Sequence, residues 1–213
     1  MPLLLATILP SILIILFFVN SDKFKEPKGE IIKVFIFGIL ITIPAYILNT
    51  FLRDFWYNNT AVSESLISSS LTAAPVEEGL KLSILYYFVY KMKDFNEPLD
   101  GIVYGVTASL GFATLENIYY VYLLADYFET TSMALAIARS FSAVPAHAVF
   151  GIFMGYFFMK YAFIKKGDNL FISSSFFAAM MLIIISWIVA LRMFSRLKKT
   201  QKKKRKEYEK KVR

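Results

Sequence analysis

Six apolar runs, at about 3–19, 31–52, 66–90, 101–124, 132–159 and 170–194, constrain this chain more than any other feature. Crossing about 30 Å of hydrocarbon takes roughly 20 helical residues, and every run is close to that length or longer. None alternates with the period of two that barrel strands require. The sequence therefore predicts an all-α fold, a polytopic transmembrane helical bundle of about six spans. The bundle would occupy 1–195, with a catalytic-type core at about 66–160, and 196–213 would form a basic tail. Composition agrees: 57% of the 213 residues are hydrophobic and 17% aromatic, and mean hydropathy is +0.53. No Lys or Arg precedes the first run and no small-residue cleavage site follows it, so it reads as a retained helix rather than a signal peptide.

The net charge of +8 is unevenly spread. "RLKKTQKKKRKEYEKKVR" (196–213) holds eleven Lys and Arg against two Glu, and the rest of the chain is close to neutral. Such a tail suits anionic lipid headgroups. With a single aromatic residue it gives no reason to expect nucleic acid. In the loops, Lys23, Lys25, Lys28, Lys91, Lys93, Lys160, Lys165 and Lys166 fall in the first, third and fifth, whereas the second and fourth hold only Arg53. The positive-inside rule places the odd loops in the cytoplasm and the N-terminus outside. Six spans would then put the basic tail outside, against the same rule, so the count or one of the segments must differ from a simple alternation.

The runs also carry charges that hydrocarbon does not tolerate. "LTAAPVEEGLKLSILYYFVY" contains Glu77, Glu78 and Lys81, and the next run contains Glu116. At a helix centre each such group costs roughly 2.5–3.5 kcal/mol. It persists when paired, when binding an ion, or when lining a wet cavity. Glu77 and Lys81 stand in the favourable i, i+4 order, and Glu78 lies three residues from the same Lys. One carboxylate should be satisfied by Lys81 and the other left over, because adjacent residues point about 100° apart. Pro75 should disturb the helix just before the pair.

Gly101, Gly105, Ser109 and Phe112 share one helical face, which Glu116 continues with Asn117 beside it. Small residues at four-residue spacing let another helix come close. His147, Gly151 and Gly155 make a matching stripe, and Arg139 lies two turns before His147. These groups could each pair locally, at the membrane edge or in the core. Converging, they would form a water-activating site. With no Cys and one His in the chain, a cysteine nucleophile and thiolate or multi-histidine metal sites are excluded. Two chemistries remain open. In one, Glu77, Glu116 and His147 hold zinc and a water. In the other no metal is used: a Glu activates water, and His147 and Asn117 hold the oxyanion. A small transporter or channel could also use such carboxylates, but no internal repeat is visible between the halves.

"EEGLK" (Glu77, Glu78, Lys81), "DGIVYG" through "GFATLEN" (Asp100 to Asn117) and "HAVFG" (His147 to Gly151) resemble, in this order, the PrsW intramembrane proteases, relatives of the CAAX prenyl endopeptidases and Abi proteins. The similarity covers about 20–165. It implies a multi-pass protein of the cell membrane that hydrolyses membrane-anchored proteins, anti-sigma factors in the PrsW branch. By position, the resemblance makes Glu77, Glu78, Glu116 and His147 the catalytic set, with Lys81, Phe112, Asn117 and Arg139 in support. A non-catalytic member that binds a membrane partner through the same cavity, and a homodimer that completes the site, are the alternatives. One departure bears on metal binding and activity. The family pattern has a second His near the C-terminus, in a form like "LLHGxxD", and 170–194 contains none. The expectation is a member shortened by one helix before the final span, which would also resolve the topology count.

Overall fold

A computed structural model describes residues 1–59 and 72–164. They are helical, and no strand occurs among them. In chain order the helices are α1 (Pro2–Ser21), α2 (Lys28–Asn59), α3 (Ala74–Tyr87), α4 (Pro98–Leu123), α5 (Ser132–Phe141) and α6 (Ala143–Met159). Among the described residues, three stretches are long and apolar enough to cross a membrane: Pro2–Ser21, Lys28–Tyr57 and Ser132–Phe163. The expected run at 170–194 and the basic tail lie outside the described residues.

The run 132–159, read above as one helix, is two. Pro145 explains the break: its ring collides with the carbonyl four residues back, that of Phe141, where α5 ends. Pro75 behaves differently from the expectation. It stands in the first turn of α3, where a missing N–H costs little, and so it helps to start that helix.

α1 and α2 are built inside out. On α1, Leu5, Leu9, Leu13 and Phe17 are exposed at four-residue steps, while Thr7, Ser11 and Ile15 are buried. On α2, Ile32, Ile36, Leu40, Ile43 and Ile47 form a similar exposed stripe. Aliphatic ridges of this length facing outward are what lipid tails solvate. The small hydroxyl residues face inward; Thr7 donates to the Leu3 carbonyl of its own helix at 2.8 Å.

α4 is the hub. It packs against α1, α2, α3 and α6, and every residue from Val103 to Thr114 is buried. A helix shielded from lipid has no need of a greasy surface, which is why α4 can carry Ser, Thr, Gly and a carboxylate. Its two sides meet neighbours backbone to backbone. A Cβ at Gly151 would stand 2.8 Å from the Gly105 carbonyl oxygen and 3.0 Å from Ser109 Cβ, and on the other side Gly111 abuts the Phe35 carbonyl of α2. The stripes read from the sequence, 101–105–109 and 147–151–155, are thus the α4–α6 contact. Ser109 Oγ locks it by donating to the His147 carbonyl at 2.7 Å.

The connections after α1 and α3 lie at the same end of the bundle, where Glu26 accepts a hydrogen bond from Tyr104. Phe95 stacks near Phe158 and Phe163 there, with ring centroids 5.5 and 4.9 Å apart. The first and third lysine-bearing connections therefore lie at one end; Lys165 and Lys166 of the fifth lie outside the described residues. Because there is no slack between α4 and α6, Gly151→Val should lower unfolding stability by about 1–3 kcal/mol, measured by denaturation in detergent. Gly29→Ala, where nothing lies within 4 Å, should leave it unchanged or slightly higher.

Candidate active site

Three helices bring one costly group each to a common point. Glu77 comes from the first turn of α3, Glu116 from about two turns before the end of α4, and His147 from the start of α6. One donor atom from each lies within 4.8 Å of the other two. The register of the α4–α6 glycine contact sets this: the Ser109–His147 bond fixes the imidazole opposite Glu116, two turns along α4.

Lys81 holds the inner side. Its side chain is fully buried, and its ammonium lies 2.8 Å from Glu78 Oε1, 3.1 Å from His147 Nδ1 and 3.8 Å from Glu77 Oε2. It also sits 4.3 Å from the Phe112 ring centroid, a cation–π contact. The local partner of Lys81 is therefore Glu78, at i+3, and Glu77 is the carboxylate left over. An ammonium has donors and no acceptor, so His147 Nδ1 accepts and the ring proton sits on Nε2. That N–H points at Glu116 Oε2, 3.2 Å away.

Arg139 closes the outer side. Its Nη2 lies 2.5 Å from Glu116 Oε2 and its Nε donates to Asn117 Oδ1 at 2.7 Å. The guanidinium lies 4.0 Å from the Tyr120 ring centroid. Asn117 is buried and engaged by Arg139, so its role in the geometry is to orient that side chain. A cavity of about 740 Å³ opens beside the cluster. Glu77, Glu116, Phe112 and Asn49 line it, with apolar walls from Ile43, Ile47 and Leu115; Glu78, His147 and Arg139 are not among its walls. Asn49, which the sequence reading missed, donates to Glu77 Oε1 at 3.4 Å. Its only signal was one amide within the apolar run of α2.

The carboxylate pair on a cavity wall, braced behind by a buried Lys–His–Arg network, can be set against known proteins. The family model for PrsW family intramembrane metalloproteases matches residues 26–193. This chain belongs to the PrsW family. Protease PrsW of Geobacillus kaustophilus is 37% identical over 175 residues, 82% of this chain and 73% of the relative. The Clostridioides difficile protein of the same name is 38% identical over 165 residues, covering 76% and 66% of the two chains. That of Bacillus subtilis is 34% identical over 159 residues, covering 74% and 68%. No solved structure matches the chain. The PrsW match begins a few residues after the sequence resemblance did and runs further toward the C-terminus.

Because Glu116 and Arg139 are both mostly buried, each should be strongly destabilising to remove alone. Arg139→Ala should cost about 3 kcal/mol. The Glu116→Gln/Arg139→Gln double variant should cost less than the two single changes summed, by at least about 1 kcal/mol in a double-mutant cycle.

Proposed function

We propose that this chain is an intramembrane endopeptidase, a multi-pass protein of the cell membrane with about six spans, and that Glu77 activates the attacking water. The observation that carries this is the division of the glutamate pair: Glu77 faces the cavity, while Glu78 is turned inward onto Lys81. The apolar walls suit a membrane-anchored substrate presenting an unwound stretch of its span, and an anti-sigma-factor-like protein is the substrate we infer from the family. The basic tail, in this reading, meets anionic lipid.

The reaction adds water across a peptide bond. Glu77 takes one proton from water as the oxygen bonds to the scissile carbonyl carbon. The Asn49 amide, beside Glu77, donates to the oxyanion that forms. Glu77 then delivers its proton to the leaving nitrogen as the C–N bond breaks, giving a carboxyl terminus and a free amine. Lys81 limits where the negative charge of Glu78 can act, and Glu116, held from behind by Arg139, stands on the cavity wall. A general base of this kind is worth roughly 10²–10⁴ in rate.

Two carboxylates and an imidazole are ligand types that suit zinc, and Glu77, Glu116 and His147 are close enough to share an ion. The hydrogen bonds do not fit one. For His147 Nε2 to ligate, its proton would have to sit on Nδ1, facing the Lys81 donor 3.1 Å away. This favours the glutamate scheme for the chain as arranged. Purified enzyme with a single-span substrate decides the matter. Glu77→Gln should reduce cleavage at least about 100-fold while leaving the protein folded, and a chelator should not abolish wild-type cleavage. Cleavage by Glu77→Gln at the wild-type rate would remove the assignment, and a family member that only binds its partner would show no cleavage in any form.

A further inference from the structure

Two carboxylates of the α1–α2 connection and one from the start of α4 meet about 24 Å along α4 from Glu116. Asp22 follows α1, Glu26 precedes α2, and Asp100 lies in the first turn of α4. Their residues are 4%, 7% and 0% exposed, and one oxygen from each lies within 4.8 Å of the other two. Like charges at such spacing, out of water, oppose one another's ionisation unless positive charge joins them. None of the ion pairs formed among the described residues reaches them. Lys25, which is close in sequence, bonds instead to Asn20 Oδ1 at 3.1 Å.

The protein's own donors satisfy only part of the cluster. Asp22 Oδ1 accepts from the Phe24 N–H at 2.9 Å. Asp100 Oδ2 accepts from the Asn96 and Glu97 N–H groups at 2.8 and 2.9 Å, which fixes the start of α4. Glu26 Oε2 accepts from the Tyr104 hydroxyl. Asp22 Oδ2 and Asp100 Oδ1 are left, both buried and both accepting nothing. A buried carboxylate oxygen without a partner carries a desolvation penalty that something must offset. A cavity of about 550 Å³ reaches Glu26 from between the two connections, lined also by Asp94, Asn96, Glu97 and Lys25, which gives a small ion a route in.

We propose that Asp22, Glu26 and Asp100 form a binding site for a hard divalent cation of the calcium–magnesium class. The donors are all oxygen, which selects such ions over zinc or copper. The bound ion would meet the two orphaned oxygens and tie the α1–α2 connection to the first turn of the hub helix. It is a structural site, remote from the glutamate cluster and independent of whether that cluster is catalytic.

The experiment uses full-length protein in detergent, stripped with a chelator and titrated separately with calcium and magnesium chloride, with sodium chloride at matched ionic strength as control. At about 1 mM ion, a saturable rise in Tm of about 4 °C or more is expected for at least one of the two. Asp22→Asn and Glu26→Gln keep the hydrogen bonds named above and should fold, but lose the rise. Glu77→Gln/His147→Ala should keep it, which excludes the other cluster as its source. Terbium, a calcium surrogate, should give tyrosine-sensitised emission through Tyr104 that the Asp22→Asn/Glu26→Gln double variant loses. No saturable shift with either ion, or a shift equal in the Asp22 and Glu26 variants, would overturn the site and leave the cluster neutralised by protons.

Discussion

The arrangement depends on one buried ammonium. Lys81 has no exposed surface, and an unpaired charge at that depth would cost several kcal/mol. Glu78, His147 Nδ1 and the face of Phe112 surround it, and each is thereby fixed. Glu78 is drawn inward and Glu77, one residue earlier and about 100° around the helix, is left facing the cavity. His147 becomes an acceptor at Nδ1, so its other nitrogen must donate toward Glu116. One lysine thus distributes the roles of two glutamates and sets the tautomer of the only histidine.

That network needs a backbone that does not move, and α4 supplies it. Glycine contacts on two sides bring its main chain against those of α2 and α6, so sliding either neighbour would require opposing backbone atoms to pass through one another. The Ser109–His147 bond then fixes the register that brings Glu116 beside the imidazole. α1 and the outer face of α2 act as an apolar jacket. Polar chemistry is gathered around the hub helix from several elements, and two separate acidic clusters of different make-up lie along it.

Much of this was legible in the sequence because hydrocarbon makes charge expensive. Glu77, Glu116 and His147 stood out on that ground, and their four-residue glycine stripes pointed to helix contact. Arg139 was legible as a supporting residue two turns before His147, although the break at Ser142 beside it was signalled only by Pro145. Which glutamate pairs with Lys81 was not legible. Both i+3 and i+4 are allowed on a helix, and the ammonium's other neighbour, His147, is 66 residues away. Asn49 escaped notice because a lone neutral amide in an apolar run costs little. The Asp22–Glu26–Asp100 cluster escaped for another reason: its members lie in loops and a first turn, where acidic residues are ordinary, and only folding buries them together.

The central claim is that Glu77, and not Glu78, shares a space with Glu116. The chain has no cysteine, so paired cysteines can be introduced against a clean background and bridged in membranes with a short bifunctional thiol reagent. The 77/116 pair, made as Glu77→Cys with Glu116→Cys, should cross-link rapidly and nearly completely, and the 78/116 pair slowly or not at all. Equal bridging of the two pairs, or preference for 78/116, would contradict the account.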